Sequence, residues 1–178
     1  IVDIGGGTTE VAVISLNGVV TKKAIKVAGD VMDHDIQNYF RNTHRLEIGD
    51  RTAEQIKISV GSAMRSRSKN ILVKGRDLVS GIPKTIDVRS DEIRQALKDS
   101  VKRILEVVKD ALESTPPELS SDIIDRGILV AGGGAQLRGL DQVIREKTNV
   151  PCNVVEEPHL AIVKGCGKII EDLEKYKH

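Results

Sequence analysis

Val2-Asp3-Ile4-Gly5-Gly6-Gly7-Thr8-Thr9-Glu10-Val11-Ala12 is the stretch on which the fold turns. An apolar run, Ile1 to Ile4, stops at three glycines, and a second strand-like run follows from Thr9 to Leu16. Val11 and Val13 fall on one face of that run, and Ala12, Ile14 and Leu16 on the other, so burial on both faces is expected. Asn17-Gly18 then gives a tight hairpin signal, because this pair tolerates the positive φ of a two-residue turn. Val19 to Val27 is expected to return antiparallel.

Glycines let a backbone approach a ligand closely and aim successive N–H groups at an anion. A triple-glycine turn alone is more often a plain tight turn; its neighbours give this one chemical content. Asp3 stands at the end of a buried strand, where a carboxylate is costly unless it has a partner. Hydrated Mg2+ beside phosphates is such a partner. Thr8 and Thr9 follow with hydroxyls suited to a terminal phosphate or a water. A second cluster, Gly132-Gly133-Gly134, follows another apolar strand, Gly127 to Ala131. Neither cluster fits a Walker loop, because no Gly-Lys-Ser/Thr follows and the first leads into a strand.

Between these clusters the pattern turns helical. Asp30 is the expected N-cap of a helix carrying Val31, Ile36, Tyr39 and Phe40, and Thr52 with Gln55 reads as a capping box opening another. Residues 64–77 carry Arg65, Arg67, Lys69, Lys74 and Arg76 against one acid, Asp77, and the basic loop Met64 to Lys69 reads as a solvated tip, with a filament or lipid-facing contact as the alternative. Asn70 to Lys74 and Lys84 to Arg89 are short strand candidates. Asp91 to Leu112 is expected to be one long helix, with Ile93, Leu97, Val101, Ile104, Leu105, Val108 and Leu112 in a continuous stripe and Asp99–Arg103 as an i,i+4 ion pair. Pro116-Pro117 ends it in a loop. Beyond Ala131 the order reads helix Leu140 to Lys147, strand Val150 to Val155, and helix from Pro158.

Composition excludes several functions. The 178 residues carry 27 basic and 26 acidic side chains, so no electrostatic footprint for nucleic acid exists. Tyr39, Phe40 and Tyr176 are the only aromatics, too few for a base-stacking platform. No apolar run reaches the ~20 residues that a transmembrane helix needs. Cys152 and Cys166 are expected to be reduced core thiols, and His34, His44 and His159 share no metal or catalytic spacing. Opening at Ile1, inside a strand, is the expectation for a fragment of a longer protein.

The first motif resembles the second phosphate motif of the actin superfamily, and Ile128 to Leu137 resembles its adenosine motif. Together with Arg51-Thr52-Ala53-Glu54-Gln55-Ile56-Lys57, Gly75-Arg76-Asp77-Leu78-Val79, Pro83-Lys84-Thr85, Thr115-Pro116-Pro117-Glu118-Leu119 and Asp125-Arg126-Gly127, it closely resembles the MreB family of bacterial actin homologues. The resemblance implies an α/β actin-like ATPase fold, a ribonuclease H-like subdomain with a smaller α+β insertion, present as its second half. Residues 1–27 and 94–178 would form the lower subdomain, and residues 28–93 the insertion. ATP and Mg2+ would lie in the cleft. Asp3 would hold the metal's water shell, Gly5, Gly6, Gly7, Thr8 and Thr9 would wrap the phosphates, and Thr8 would position the hydrolytic water. Glu54, Gln55, Ile56 and Lys57 would meet the ribose and adenine side, and Gly132, Gly133, Gly134 and Ala135 would let base and sugar lie against backbone. The acid that polarises the water and the first phosphate motif would belong to the other half. The isolated half is then inactive and its parent a slow ATPase. The resemblance further implies a head-to-tail filament, cytoplasmic and membrane-associated, that maintains rod shape with the cell-wall elongation machinery. Ala131, His159, Lys164 and the basic loop depart from the family pattern, which marks a divergent paralogue. Alternatives are another actin-fold ATPase, either a DnaK-type chaperone or a small-molecule kinase.

Overall fold

The computed structural model describes residues 1–16, 18–65, 67 and 69–173. Asn17 of the expected turn, Tyr176 and the chain end lie outside the described residues. Two sheets organise the chain. The larger has the order β3-β2-β1-β7-β8, built from Val2–Ile4 (β1), Thr9–Ser15 (β2), Gly18–Ile25 (β3), Ile128–Ala131 (β7) and Cys152–Val154 (β8). The smaller has the order β4-β5-β6, from Leu46–Glu47 (β4), Asn70–Asp77 (β5) and Pro83–Arg89 (β6). β1 pairs antiparallel with β2 but parallel with β7, with Val2 opposite Val130 and Asp3 opposite Ala131. β7 and β8 are also parallel.

Helix α1 (Gly29–Tyr39) precedes the smaller sheet in sequence, α2 (Asp50–Val60) connects β4 to β5, α3 (Ser90–Ala96) follows β6, and α4 (Lys98–Glu113) packs on β2 and β3. α5 (Pro117–Arg126), α6 (Leu140–Thr148) and α7 (Ala161–Glu171) follow. One continuous core runs through the molecule, with Ile4, Met32, Ile36, Phe40, Leu46, Ile93, Leu97, Ile104, Leu140 and Ile144 among its fully buried side chains. Each such side chain contributes about 1.5–3 kcal/mol relative to exposure.

Several expectations are corrected. β2 is not buried on both faces: Ile14 is 51% and Leu16 100% exposed, because an open cavity that they line with Val108, Ala111 and Leu112 of α4 separates this end of the hairpin from close packing. The N-cap of α1 is Ala28, and Asp30 sits inside the first turn. Its orphan N–H groups need no side-chain cap, since Gly29 N–H donates to Gly5 O (3.2 Å) and Asp30 N–H to Gly6 O (2.9 Å). α2 begins at Asp50 behind Gly49, so Thr52 lies within the helix and caps nothing. The long helix is two, α3 and α4, broken at Leu97; the apolar stripe survives the break because Leu97 is itself fully buried. Among the described residues α4 makes the ion pair Lys102–Glu106 (3.6 Å) in place of Asp99–Arg103. The expected loop after the proline pair is α5, with Pro117 at its first turn, where a missing N–H costs nothing. Of the thiols, Cys152 is buried but Cys166 is exposed on α7.

Candidate functional site

β1 and β7 are parallel neighbours, so their carboxyl ends point the same way and the turns that follow them meet. Open α/β sheets hold ligands outside such carboxyl ends. The turn after β1 is Gly5–Gly7 and the turn after β7 is Gly132–Gly134, 125 residues later in sequence. Close approach of β1 to this second turn demands glycine. A Cβ on Gly134 would lie 2.3 Å from Ile4 Cγ2, and Gly132 has a φ of +83°.

The first turn has its polarity set by α1. Gly5 and Gly6 give their carbonyls to the N–H groups of Gly29 and Asp30. In a planar trans peptide the C=O and the following N–H point in opposite directions. Gly6 N–H and Gly7 N–H are therefore turned away from α1, and among the described residues neither has a protein acceptor. Two adjacent, unsatisfied N–H groups on a glycine turn form a cradle for an anion.

The third wall is α2. Its 3.6-residue period places Ala53, Ile56 and Val60 in the core and Glu54, Lys57 and Ile58 on the cleft, with Gly61 following at the helix end. A cleft of about 390 Å³ results, lined by Gly5, Gly6, Gly29, Asp30, Met32, Asp33, the three α2 residues, Gly61, Gly133, Gly134, Gln136 and Leu137. Its far end is tied off by Arg138, which donates from Nη2 to Ser59 O (2.6 Å) and accepts Ala63 N–H on its carbonyl (2.9 Å).

Six of the residues singled out from sequence thus line one cavity: Gly5, Gly6, Glu54, Lys57, Gly133 and Gly134. Gly7 and Thr8 are exposed at the open side of the turn. Gln55 is exposed outside the lining, while Ile56 and Ala135 are buried in the core. The Thr9 hydroxyl is committed elsewhere: Thr9 is fully buried and Oγ1 donates to Val27 O at 2.6 Å. Gly132 lies behind the lining, its N–H bonded to Pro158 O (2.8 Å). Asp3 faces Glu10 across the β1–β2 register and is half-buried; burial and then the Glu10 charge raise its carboxyl above the usual range. Among the described residues Asp3 has no hydrogen-bond or ion-pair partner, which is the environment a cation would relieve. Sequence reasoning did not assign Asp30 and Asp33 to the cleft, since they carry no motif of their own, and it passed over Gln136 although that residue lies within the Ile128 to Leu137 motif. An i,i+3 spacing of acids after Gly29 was the available signal for the first two.

Lys57 does not pair with Glu54, its neighbour on the helix. It reaches across to Asp33 Oδ2 (2.7 Å) and Gly29 O (2.9 Å) on α1. Burial raises the Asp33 carboxyl, partly opposed by the lysine.

A ribonuclease H-like sheet with a smaller inserted sheet and two glycine turns facing one helix defines an actin-like α/β fold. The whole chain, residues 1–178, matches the family model described as MreB/Mbl protein, and the chain belongs to that family. It is 49% identical over 176 residues to the cell shape-determining protein Mbl of Bacillus subtilis strain 168, covering 98% of this chain and 53% of that protein. It is 45% identical over 177 residues to the cell shape-determining protein MreB of Escherichia coli K12, covering 99% and 51%. The chain therefore spans about half the length of the curated relatives it matches. Among solved structures it is similar to MreB5 of Spiroplasma citri bound to AMPPNP, with TM-score 0.93, 37% identity and coverage of 98% and 53%. The MamK double helical filament is similar at TM-score 0.80, 25% identity and coverage of 96% and 53%.

Proposed function

We propose that the chain is the nucleotide-binding second half of a filament-forming, cell shape-determining protein, and that ATP with Mg2+ occupies the 390 Å³ cleft. The observation that carries this reading is the convergence of both glycine turns and the Glu54–Lys57 face on one cavity. A related structure bound to AMPPNP and another bound to ADP support a nucleotide as the ligand.

In this reading residues 1–27 and 94–178 form the lower subdomain and residues 28–93 the inserted one, in keeping with the membership of the two sheets. Gly6 and Gly7 donate to phosphate oxygens, and Thr8, exposed beside them, orients the attacking water. Asp3 accepts hydrogen bonds from the water shell of Mg2+. The metal ion neutralises phosphate charge when bound. Glu54 and Lys57 meet the ribose, while Gly133 and Gly134 admit the base and sugar against backbone. Opposing groups supplied by the rest of the protein complete the slow ATPase. Head-to-tail contacts that do not close build the filament, and the assembly works at the cytoplasmic face of the membrane with the cell-wall elongation machinery.

Titrating the chain with Mg–ATP while following backbone amide resonances tests this. The expected shifts fall on Gly5–Thr8, Gly29–Asp33, Glu54–Gly61 and Gly132–Gln136, with millimolar affinity, no phosphate release and no pelleting filaments. A contribution of about 3–4 kcal/mol from missing contacts moves a micromolar site by roughly two to three powers of ten. No response at about 10 mM ATP, or shifts confined to another face, would refute the reading.

A further inference from the structure

The cleft holds one cation among acids. Lys57 is flanked by Asp33, Asp30 and Glu54, one positive charge against three negative, a net charge of −2 for the four ionised groups. A phosphate approaching this wall meets net repulsion, and Asp30 carries that repulsion to the edge of the cradle, its Oδ1 lying 3.3 Å from where a Cβ on Gly6 would stand. Lys57 is also not a mobile cation. It and Asp33 expose only 16% and 17% of their side chains, and its ammonium is held by two acceptors, Asp33 Oδ2 at 2.7 Å and Gly29 O at 2.9 Å. An ammonium has three N–H bonds. With one acceptor it still rotates about Cε–Nζ; with two at fixed positions, the direction of the third N–H is determined. That third N–H has no acceptor among the described residues.

We propose that Asp33 is the positioning residue for sugar recognition: it converts Lys57 from a phosphate-seeking cation into an oriented donor to a neutral oxygen of the ligand's sugar. The inference rests on the nucleotide reading above. Asp33 lines the cleft and acts through the lysine. Its Oδ1 is buried without a partner, and its Oδ2 is spent on the lysine. The pair acts across two helices, so α1 and α2 are held together at the same point where α1 holds the Gly5–Gly6 carbonyls.

The test compares four probes, each with Mg2+: ATP, its 2′-deoxy and 3′-deoxy analogues, and inorganic tripolyphosphate. Amide resonances of the chain and its Asp33→Asn variant report binding, with melting curves as a check of the fold. The wild-type chain should prefer ATP to at least one deoxy analogue by about fivefold to tenfold, roughly 1.0–1.4 kcal/mol. Asp33→Asn should abolish that preference while tripolyphosphate binds as well as before or better, because the wall loses a negative charge. In a Lys57→Gln background the same substitution should change the sugar preference no further. A variant that weakens tripolyphosphate and ATP alike would mark Asp33 as a purely structural residue and overturn the proposal. So would a sugar preference that survives Asp33→Asn. A wild-type chain that responds to no nucleotide overturns the nucleotide reading and this inference with it. Should Asp33→Asn fail to fold, Asp33→Glu carries the comparison: the wall keeps its charge while the acceptor for Lys57 moves by one methylene, so a reduced sugar preference with tripolyphosphate binding kept supports the assignment, and an unchanged preference overturns it.

Discussion

Gly132 and Asp3 stand against each other across the seam between β7 and β1. A Cβ built on Gly132 would fall 2.5 Å from Asp3 Oδ1 and 2.3 Å from the carbonyl oxygen of Ile4. Real Cβ atoms do not approach backbone so closely, and the φ of +83° is itself strained for any other residue. Gly132→Ala should therefore push β7 away from β1. The expected cost is about 2–4 kcal/mol, from strain at the turn and overpacking of the seam. Thermal unfolding would read this as a fall of several degrees, accompanied by loss of any nucleotide response; an unchanged melting temperature would contradict the observed packing.

Asp3→Ala separates fold from ligand. The folded chain holds the Asp3 carboxyl above its usual range, mainly through burial, so its ionised form opposes folding. Its contribution falls as pH rises from the unfolded value through the higher folded one. Removing it should leave the melting temperature at neutral pH unchanged or slightly raised. The Mg2+-dependent part of ATP binding should be lost, which titrations with and without a chelator would detect. In the assembled protein, phosphate release should slow about a hundredfold.

The β5–β6 turn is held by Asp77, which pairs with Lys84 Nζ (2.8 Å) and accepts the N–H groups of Val79 (2.8 Å) and Ser80 (2.9 Å). Lys84 first and those two N–H groups next keep its carboxyl far below the usual range. A depressed folded pKa gives stabilisation that is complete above the ordinary value of 3.8 and lost as pH falls toward the lower folded one. Hydrogen exchange in β5 and β6 should accelerate selectively below about pH 4. Asp77→Asn should show the faster exchange already at neutral pH.

The two thiols should react very differently. Cys166 is exposed on α7, whereas Cys152 is fully buried and its thiol is pushed up to about 11, mainly by burial. Thiolate is the nucleophile, so alkylation at neutral pH should label Cys166 rapidly and spare Cys152 until the chain unfolds. Equal labelling in the native state would show that the β8 edge opens far more readily than its packing implies.

What the sequence by itself determined is local. The glycine triplets after apolar runs, the strand that each run forms and the 3.6-period stripe through Leu97 all follow from chemistry within a few residues, and all stand in the structure. The motif string was distinctive enough to place the chain in its family. Features that depend on what packs against a segment were not legible. Exposure of Ile14 and Leu16 reflects the open cavity beside α4, not the pattern of β2. Asp30 was expected as a helix cap because nothing local reveals that Gly5 and Gly6 carbonyls arrive to do that work. Thr9 looked like a phosphate ligand until the β2–β3 register brought it to Val27 O. Lys57 offers the clearest case: the helical period allowed Glu54, but only the docking of α1 on α2 set Asp33 and Gly29 O within bonding distance. The cleft itself is tertiary, because two turns 125 residues apart become neighbours only when β1 and β7 pair in parallel, a long-range register that no local sequence signal encodes.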